Sequence, residues 1–241
     1  SLADIYVNEA FSVSHRKHAS IVGVPKIIPS YAGILFEKEI EALKMAFSPK
    51  KPFLFILGGA KFSTKIPLLE KFLNKVDTLV VAGALMNTFY QDLGYEIGKS
   101  VVEKVDNNLK EMIRTNSLYL PTDVVVETSD KQVEIRQADK VSEDEIIMDV
   151  GPETIKYLQS RITESSFILW NGPLGNYEKG YGEGTLELAH SGKDSVVGGG
   201  DTLSAISELH LLDKFTFVST AGGAMLDFLA NETLPGIQAL D

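Results

Sequence analysis

Two rhythms of apolar and polar positions alternate along this chain. Short, predominantly apolar runs occur at 53–57, 78–82, 167–170, 195–198 and 215–219. They are rich in Phe, Val, Ile and Leu, as strands buried on both faces require. Between them lie segments with a single apolar face, at 63–75, 84–93, 152–164, 185–191, 202–210 and 223–230, which read as helices. A further helix is predicted from Tyr31 to about Phe47, capped by Ser30 and stopped by Ser48-Pro49. Its apolar positions are Ile34, Leu35, Ile40, Leu43, Met45 and Phe47. Another helix is predicted over 106–115. Leu118–Leu120 and Asp123–Glu127 are strand-like, and Gln132–Arg136 with Ile146–Met148 reads as a small hairpin-like excursion. Residues 2–29 hold one strand, around Ile5-Tyr6-Val7, and an irregular stretch. Alternation of this kind predicts an α/β fold: a doubly wound, Rossmann-like parallel sheet of about six strands with helices on both faces.

Four of the apolar runs end in small residues just before a helix. They lead into Gly58-Gly59-Ala60-Lys61, Ala82-Gly83-Ala84, Gly198-Gly199-Gly200-Asp201 and Ala221-Gly222-Gly223. A short glycine turn leaves backbone N–H groups at the helix start facing open space, where the helix dipole is positive. One such terminus contributes at most about 2 kcal/mol toward an anion, so a polyphosphate needs several, with cations to help. Several of them at the carboxyl edge of one parallel sheet predict a phosphate- or nucleotide-binding face.

Length and charge narrow this further. The 241 residues suffice for one large domain, or one domain plus part of another. There is no cysteine, which excludes disulfides and thiolate metal sites and fits a cytoplasmic location. A net charge of −10 argues against nucleic acid or an anionic membrane as partner, and no apolar run of 18 residues or signal peptide is present. The chain opens on Ser1 with a strand within a few residues, which suggests a piece of something longer.

Candidate chemistry clusters at the glycine turns. Lys61 and Lys65 stand four apart where the helix after Gly58-Gly59 is predicted to begin, so both ammonium groups should leave one side of its first turns. Cations there oppose the dipole, which suggests an anion to meet; solvated surface lysines are the competing reading. Asp201 offers a carboxylate for Mg²⁺ beside phosphates and Thr202 a hydroxyl, although an Asp N-cap would explain the same residue. Trp170-Asn171-Gly172-Pro173-Leu174-Gly175 ends a buried strand in a constrained turn, with Trp170 itself expected in the core. Glu178 follows in a glycine-rich loop, where a carboxylate can accept from ribose hydroxyls. Asp149-Val150-Gly151-Pro152-Glu153 starts a helix with Pro near its first position and needs no ligand. Gly94–Ser100 reads GYEIGKS, but three residues rather than four separate its glycines and no strand leads into it, so it is not a phosphate loop. Arg16, within His15-Arg16-Lys17-His18, has the fork geometry to clamp a carboxylate or phosphate. No G-x-G-x-x-G occurs, which disfavours a dehydrogenase.

Taken together, these segments closely resemble the phosphoglycerate kinase family over the whole chain and in order. The matching stretches include Val7–Phe11 with His15–Ser20, Gly58–Lys65, Ile97–Ser100, Asp149–Thr154, Trp170–Gly175, Gly198–Thr202, Ser219–Ala224 and Leu234–Leu240. The resemblance implies transfer of a phosphoryl group between 1,3-bisphosphoglycerate and ADP, giving 3-phosphoglycerate and ATP. It further implies that Lys65 binds nucleotide phosphate and Lys61 accompanies the transferring group, which Gly222 and Gly200 face. Gly58, Gly59, Ala60 and Asn171 would border the nucleotide, and Gly199, Gly200, Asp201 and Thr202 would hold phosphates and Mg²⁺, with Asp201 as the metal contact. Glu178 would take the ribose; Gly83, Met148, Gly172 and Leu174 would line the adenosine pocket; Arg16 would grip 3-phosphoglycerate.

On the same resemblance, residues 1–29 are a remnant of an amino-terminal, 3-phosphoglycerate-binding domain and 30–48 an interdomain helix. Residues 49–232 form the nucleotide-binding domain and 233–241 a carboxyl-terminal tail. A monomer that binds MgADP or MgATP with little or no turnover is expected, the alternative being a stand-alone nucleotide-binding regulatory module. Ala82, Ala84 and Ala221 stand where the family usually has glycine. Their methyls are expected to crowd the adenine pocket (Ala82, Ala84) or the approach of the phosphoryl group (Ala221), altering affinity.

Overall fold

A computed structural model describes residues 3–104, 109–189, 194–208 and 210–240. In chain order the elements are β1 (Tyr6–Asn8), β2 (Ser30–Ala32), α1 (Ile34–Lys44), β3 (Phe53–Leu57), α2 (Ile66–Phe72), β4 (Thr78–Val81) and α3 (Ala84–Leu93). Then come α4 (Leu109–Ile113), β5 (Leu118–Tyr119), β6 (Asp123–Glu127), β7 (Val133–Gln137), β8 (Ile146–Val150), α5 (Pro152–Glu164) and β9 (Phe167–Asn171). The last are α6 (Glu183–Ala189), β10 (Ser195–Gly198), α7 (Gly200–Ser207), β11 (Phe217–Ser219), α8 (Gly223–Asn231) and α9 (Pro235–Gln238), with short 3-10 and π turns between.

Six strands form one sheet in the order β11-β10-β9-β3-β4-β5, parallel throughout and flanked by helices on both sides. The doubly wound, Rossmann-like expectation is therefore met. Winding runs outward from β3 to β5, then returns and runs the other way from β9 to β11. The topological switch point thus lies between β3 and β9. Every residue of β3 and β9 is buried, which is why these runs carry no polar position before the terminal Asn171. The aromatic rings of Phe53, Phe55, Phe72 and Phe167 pack around them. Register aligns the strand ends: Val81, Leu57, Asn171, Gly198 and Ser219 lie side by side, so the turns that follow share one rim.

The hairpin-like excursion is a three-stranded antiparallel sheet, β7-β6-β8, standing beside the main one. Helix α5 starts against it. The buried Asp123 carboxylate accepts from Glu153 N–H (2.9 Å) and Thr154 N–H (2.8 Å), so this helix start is satisfied from within, as expected.

The sequence reading misplaces the start of α1. Ser30 does not cap it: Ser30–Ala32 pair in parallel with β1, and Gly33 is the N-cap. Glu9, far upstream, supplies the cap by accepting from Leu35 and Phe36 N–H at 3.0 Å each. Ile34 and Leu35, two of the apolar positions of the predicted helix, are 69% and 63% exposed. Helix α2 also starts late, at Ile66, and α7 starts early, at Gly200. The predicted helix ends at 106–108, at 190–191 and around 209 fall outside the described residues. Among the described residues no helix is long and apolar enough to cross a membrane.

Candidate functional site

At the switch point the turns after β3, β4 and β9 interlock through their backbones. Gly58 N–H donates to Asn171 O, Gly59 N–H to Pro173 O and Gly83 N–H to Leu174 O, each at 2.9 Å. Gly172 has φ +98°, and a Cβ there would lie 2.2 Å from Gly58 O, so no other residue fits. Gly83, at φ +61°, would likewise set a Cβ 2.6 Å from Gly59 N. Trp170 is buried in the core, as expected, and its indole N–H locks the same turn by donating to Gly172 O at 2.8 Å.

These turns floor a cleft of about 300 Å³. Gly59, Ala60, Gly83, Met148, Leu174, Glu178 and Asp201 line it. Gly58, Asn171 and Gly172 lie buried in the turns beneath, where they fix the cleft's shape rather than face it. Residues with no role assigned from sequence also line it: Asn87 from α3, Lys99 and Val101 from the following loop, Ile146 and Ile147 from β8, and Tyr177 and Lys179 beside Glu178. A local signal existed for one of them. GYEIGKS is no phosphate loop, since α3 rather than a strand leads into it, but its Gly98 bridges to Ile146 and brings Lys99 to the cleft.

The two lysines differ more than their spacing suggests. Both precede α2, with Lys65 at its N-cap position, so they leave a turn and not the helix's first turns. Glu103 holds that turn by accepting from Phe62 N–H at 2.8 Å. Lys61 is exposed, whereas Lys65 is buried and its ammonium donates to Gly58 O. Burial pulls the Lys65 pKa down from 10.5 to about 8, with Lys61 pushing the same way and Asp201 opposing. An ammonium held this way gains from any anion placed beside it.

Helix α7 follows β10 through Gly199 at φ +102°, with no side-chain cap. Asp201 is the second residue of the helix and is exposed, so the N-cap reading of this residue does not hold. Thr202 is fully buried, and its hydroxyl accepts from Gly172 N–H at 2.7 Å, tying α7 to the β9 turn. A Cβ at Gly200 would meet open space, as would one at Gly222, the N-cap of α8. Among the described residues no group of three acidic or histidine side chains surrounds Asp201, so a Mg²⁺ there would draw its other ligands from phosphate and water.

Arg16 lies away from this cleft, exposed, with its Nε donating to His15 Nε2 at 3.2 Å. The His15 ring abuts the start of α8, 3.8 Å from where a Gly223 Cβ would be. The basic loop and Gly222 are thus neighbours. Of the three alanines that replace glycine, Ala82, directly after β4, and Ala221, two residues beyond β11, are buried in the core; Ala84 borders the cleft. Neither Ala82 nor Ala221 is among the residues lining the cleft.

The family model described as phosphoglycerate kinase matches residues 1–232. Phosphoglycerate kinase of Dictyoglomus turgidum is 44% identical over 256 residues, covering 100% of this chain and 65% of that protein. That of Coprothermobacter proteolyticus is 43% identical over 253 residues, covering 100% and 64%. Among solved structures, phosphoglycerate kinase from Coxiella burnetii superposes with a TM-score of 0.86 at 39% identity, covering 98% of this chain and 65% of that one. The enzyme from Pyrococcus horikoshii gives 0.84 at 30% identity, with 98% and 64% covered. This chain accordingly spans a little under two thirds of the length of the curated relatives it matches. On the extent of these matches, and on a switch-point cleft built from the motifs that carried the resemblance, the chain belongs to the phosphoglycerate kinase family.

Proposed function

We propose that this chain is the nucleotide-binding part of a phosphoglycerate kinase and that the rim cleft binds MgADP or MgATP. The observation that carries the reading is Lys65: a buried ammonium with a lowered pKa, held against the Gly58-Gly59 turn that floors the cleft and within Coulomb reach of Asp201, which lines it. Adenosine lies against Gly83, Met148 and Leu174, its pocket shaped from below by Gly172, and Glu178 accepts from the ribose. The phosphates run toward Lys65, Gly199, Gly200 and Thr202, with Mg²⁺ shared between them and Asp201. Lys61 and the start of α8 at Gly222 face the transferring group, and Arg16 takes the 3-phosphoglycerate end.

The domain division follows: 1–29 belongs with an amino-terminal lobe, 30–48 links the two, and 49–232 holds the nucleotide. Phosphoryl transfer depends on positioning and on cations brought together from both sides. Residues 1–29 supply few of these, so the chain alone binds nucleotide but scarcely turns over. Calorimetric titration of MgADP, with NAD as control, tests the binding. Absence of MgADP binding, or equal NAD binding, refutes it. Adding the remaining part of a related enzyme and recovering ATP formation tests the catalytic reading.

A further inference from the structure

Asp149 is only 3% exposed, yet among the described residues no cation pairs with it. It lies on β8 one residue beyond the cleft-lining Met148, and borders a second cavity of about 390 Å³ that the cleft does not include. Its Oδ1 accepts from Val150 N–H at 2.8 Å and its Oδ2 from Gly184 N–H at 3.2 Å. A Cβ at Gly175 would lie 2.3 Å from its Cγ, and one at Gly184 would lie 3.1 Å from its Oδ1. The carboxylate therefore fills the gap between the two ends of the 175–184 segment. That segment carries Glu178 to the cleft and is otherwise tied by Asn176 N–H donating to Met148 O at 2.7 Å and Tyr181 N–H to Asn176 O at 3.0 Å.

We propose that Asp149 is a positioning residue whose ionised carboxylate ties the Gly184 end of the 175–184 loop by a hydrogen bond and packs against its Gly175 end, holding Glu178 over the nucleotide, and whose protonation loosens that hold. The inference rests on the nucleotide reading of the cleft. Ionised, the carboxylate accepts both N–H bonds with charge assistance. Protonation removes the charge and turns one oxygen into a donor, with Gly184 N–H left facing a poorer acceptor. The switch falls in a useful range: burial pushes the carboxyl up to about 7, the two N–H bonds oppose this, and the like charge of Glu183 adds to it. Groups facing it across the second cavity are acidic or phenolic: Glu183 and Glu187 from α6, and Tyr181, whose hydroxyl donates to Glu127 on β6 at 3.0 Å.

The test is MgADP affinity, by calorimetry, of the full chain and of Asp149→Asn from about pH 8.5 to about pH 5.5. Titration of the nucleotide's own phosphates is common to both proteins, so the difference between them isolates Asp149. The wild-type chain should lose about tenfold more affinity over that range than the variant, whose affinity at the alkaline end should already be about tenfold lower. Parallel profiles overturn the proposal. Failure of the wild-type chain to bind MgADP at any pH overturns instead the nucleotide reading on which it stands. Should Asp149→Asn not fold, the Gly184 amide resonance of the wild-type chain serves. It should titrate near neutral pH, with a midpoint about one unit lower when saturated with MgADP, as reciprocity demands. A midpoint indifferent to MgADP refutes the staple.

Discussion

Lys65→Met isolates the charge buried against the Gly58-Gly59 turn. The folded chain holds this ammonium at about 8 against an ordinary 10.5, a displacement worth about 3 kcal/mol. Because the folded value is the lower one, the unfolded chain binds more protons between those two pH values. Stability of the wild-type chain therefore rises as pH climbs through that window, and the full penalty is present below it. Methionine fills nearly the same volume with no charge, and the hydrogen bond to Gly58 O is lost at every pH. The difference in unfolding free energy, wild type minus variant, should thus climb by about 3 kcal/mol from neutral to strongly alkaline pH. Urea denaturation of both proteins across that range measures it, with other titrations cancelling in the difference. Phosphates beside Lys65 should restore its ordinary affinity for the proton, so saturating MgADP should flatten the climb. The variant's MgADP affinity should fall by about 1.5–3 kcal/mol, the worth of a hydrogen bond to a charged group. A flat difference without ligand would refute the buried-charge argument; a climb that MgADP leaves intact would refute the placing of phosphate at Lys65.

Asp201→Asn should make nucleotide affinity nearly insensitive to Mg²⁺; titrations with and without the metal that still differ as in the wild type would remove Asp201 from the metal site. Thr202→Val leaves the buried Gly172 N–H without its 2.7 Å acceptor and should cost about 1–3 kcal/mol of stability, read by thermal or urea unfolding. Glu39 on α1 accepts from Thr220 N–H at 3.0 Å, and burial raises its pKa. Its folded form binds more protons than the unfolded, so wild-type stability relative to Glu39→Gln should decline as pH rises above the ordinary carboxyl range, and a difference independent of pH would show that this burial has no effect.

The sheet was legible because its central strands β3, β9 and β10 are buried on both faces, which leaves a local trace that needs no knowledge of partners. Four of its turns were legible for a similar reason: glycine is the residue that a backbone-to-backbone approach such as Gly172 on Gly58 demands. What was not legible depends on contacts distant in sequence. Ser30 has the chemistry of an N-cap, but pairing with β1 claims Ser30–Ala32 and Glu9 takes over the capping. Asp201 has the chemistry of a cap too. Helix α7 instead begins one residue earlier, at Gly200, a residue that helix propensity would never nominate. Lys61 and Lys65 look alike in sequence, and only packing separates an exposed cation from a buried one. About half the cleft wall comes from the segment between β4 and β9, and within it Asn87, Val101, Ile146 and Ile147 carry no motif that names their role.

A comparison among the helix starts separates turn geometry from ligand binding as the reason for the glycines. Helices α1 and α5 each receive a carboxylate from another part of the chain, Glu9 and Asp123, so this fold readily caps a helix with its own side chains. Helices α3, α7 and α8 all leave the carboxyl rim of the main sheet. Each begins after a glycine of positive φ, Gly83, Gly199 or Gly222, and none is capped by a side chain among the described residues. Tight turns alone would not require this, since a carboxylate from a neighbouring strand end would satisfy the same N–H groups. The start of α3 is met in part by Gly59 O, which accepts from Leu85 N–H at 3.0 Å. Leaving the starts of α7 and α8 without a carboxylate forgoes up to about 2 kcal/mol at each, an expense that a polyphosphate spanning the rim would recover. The open termini and the buried Lys65 ammonium point to the same missing charge, and they reach that conclusion through independent physical effects.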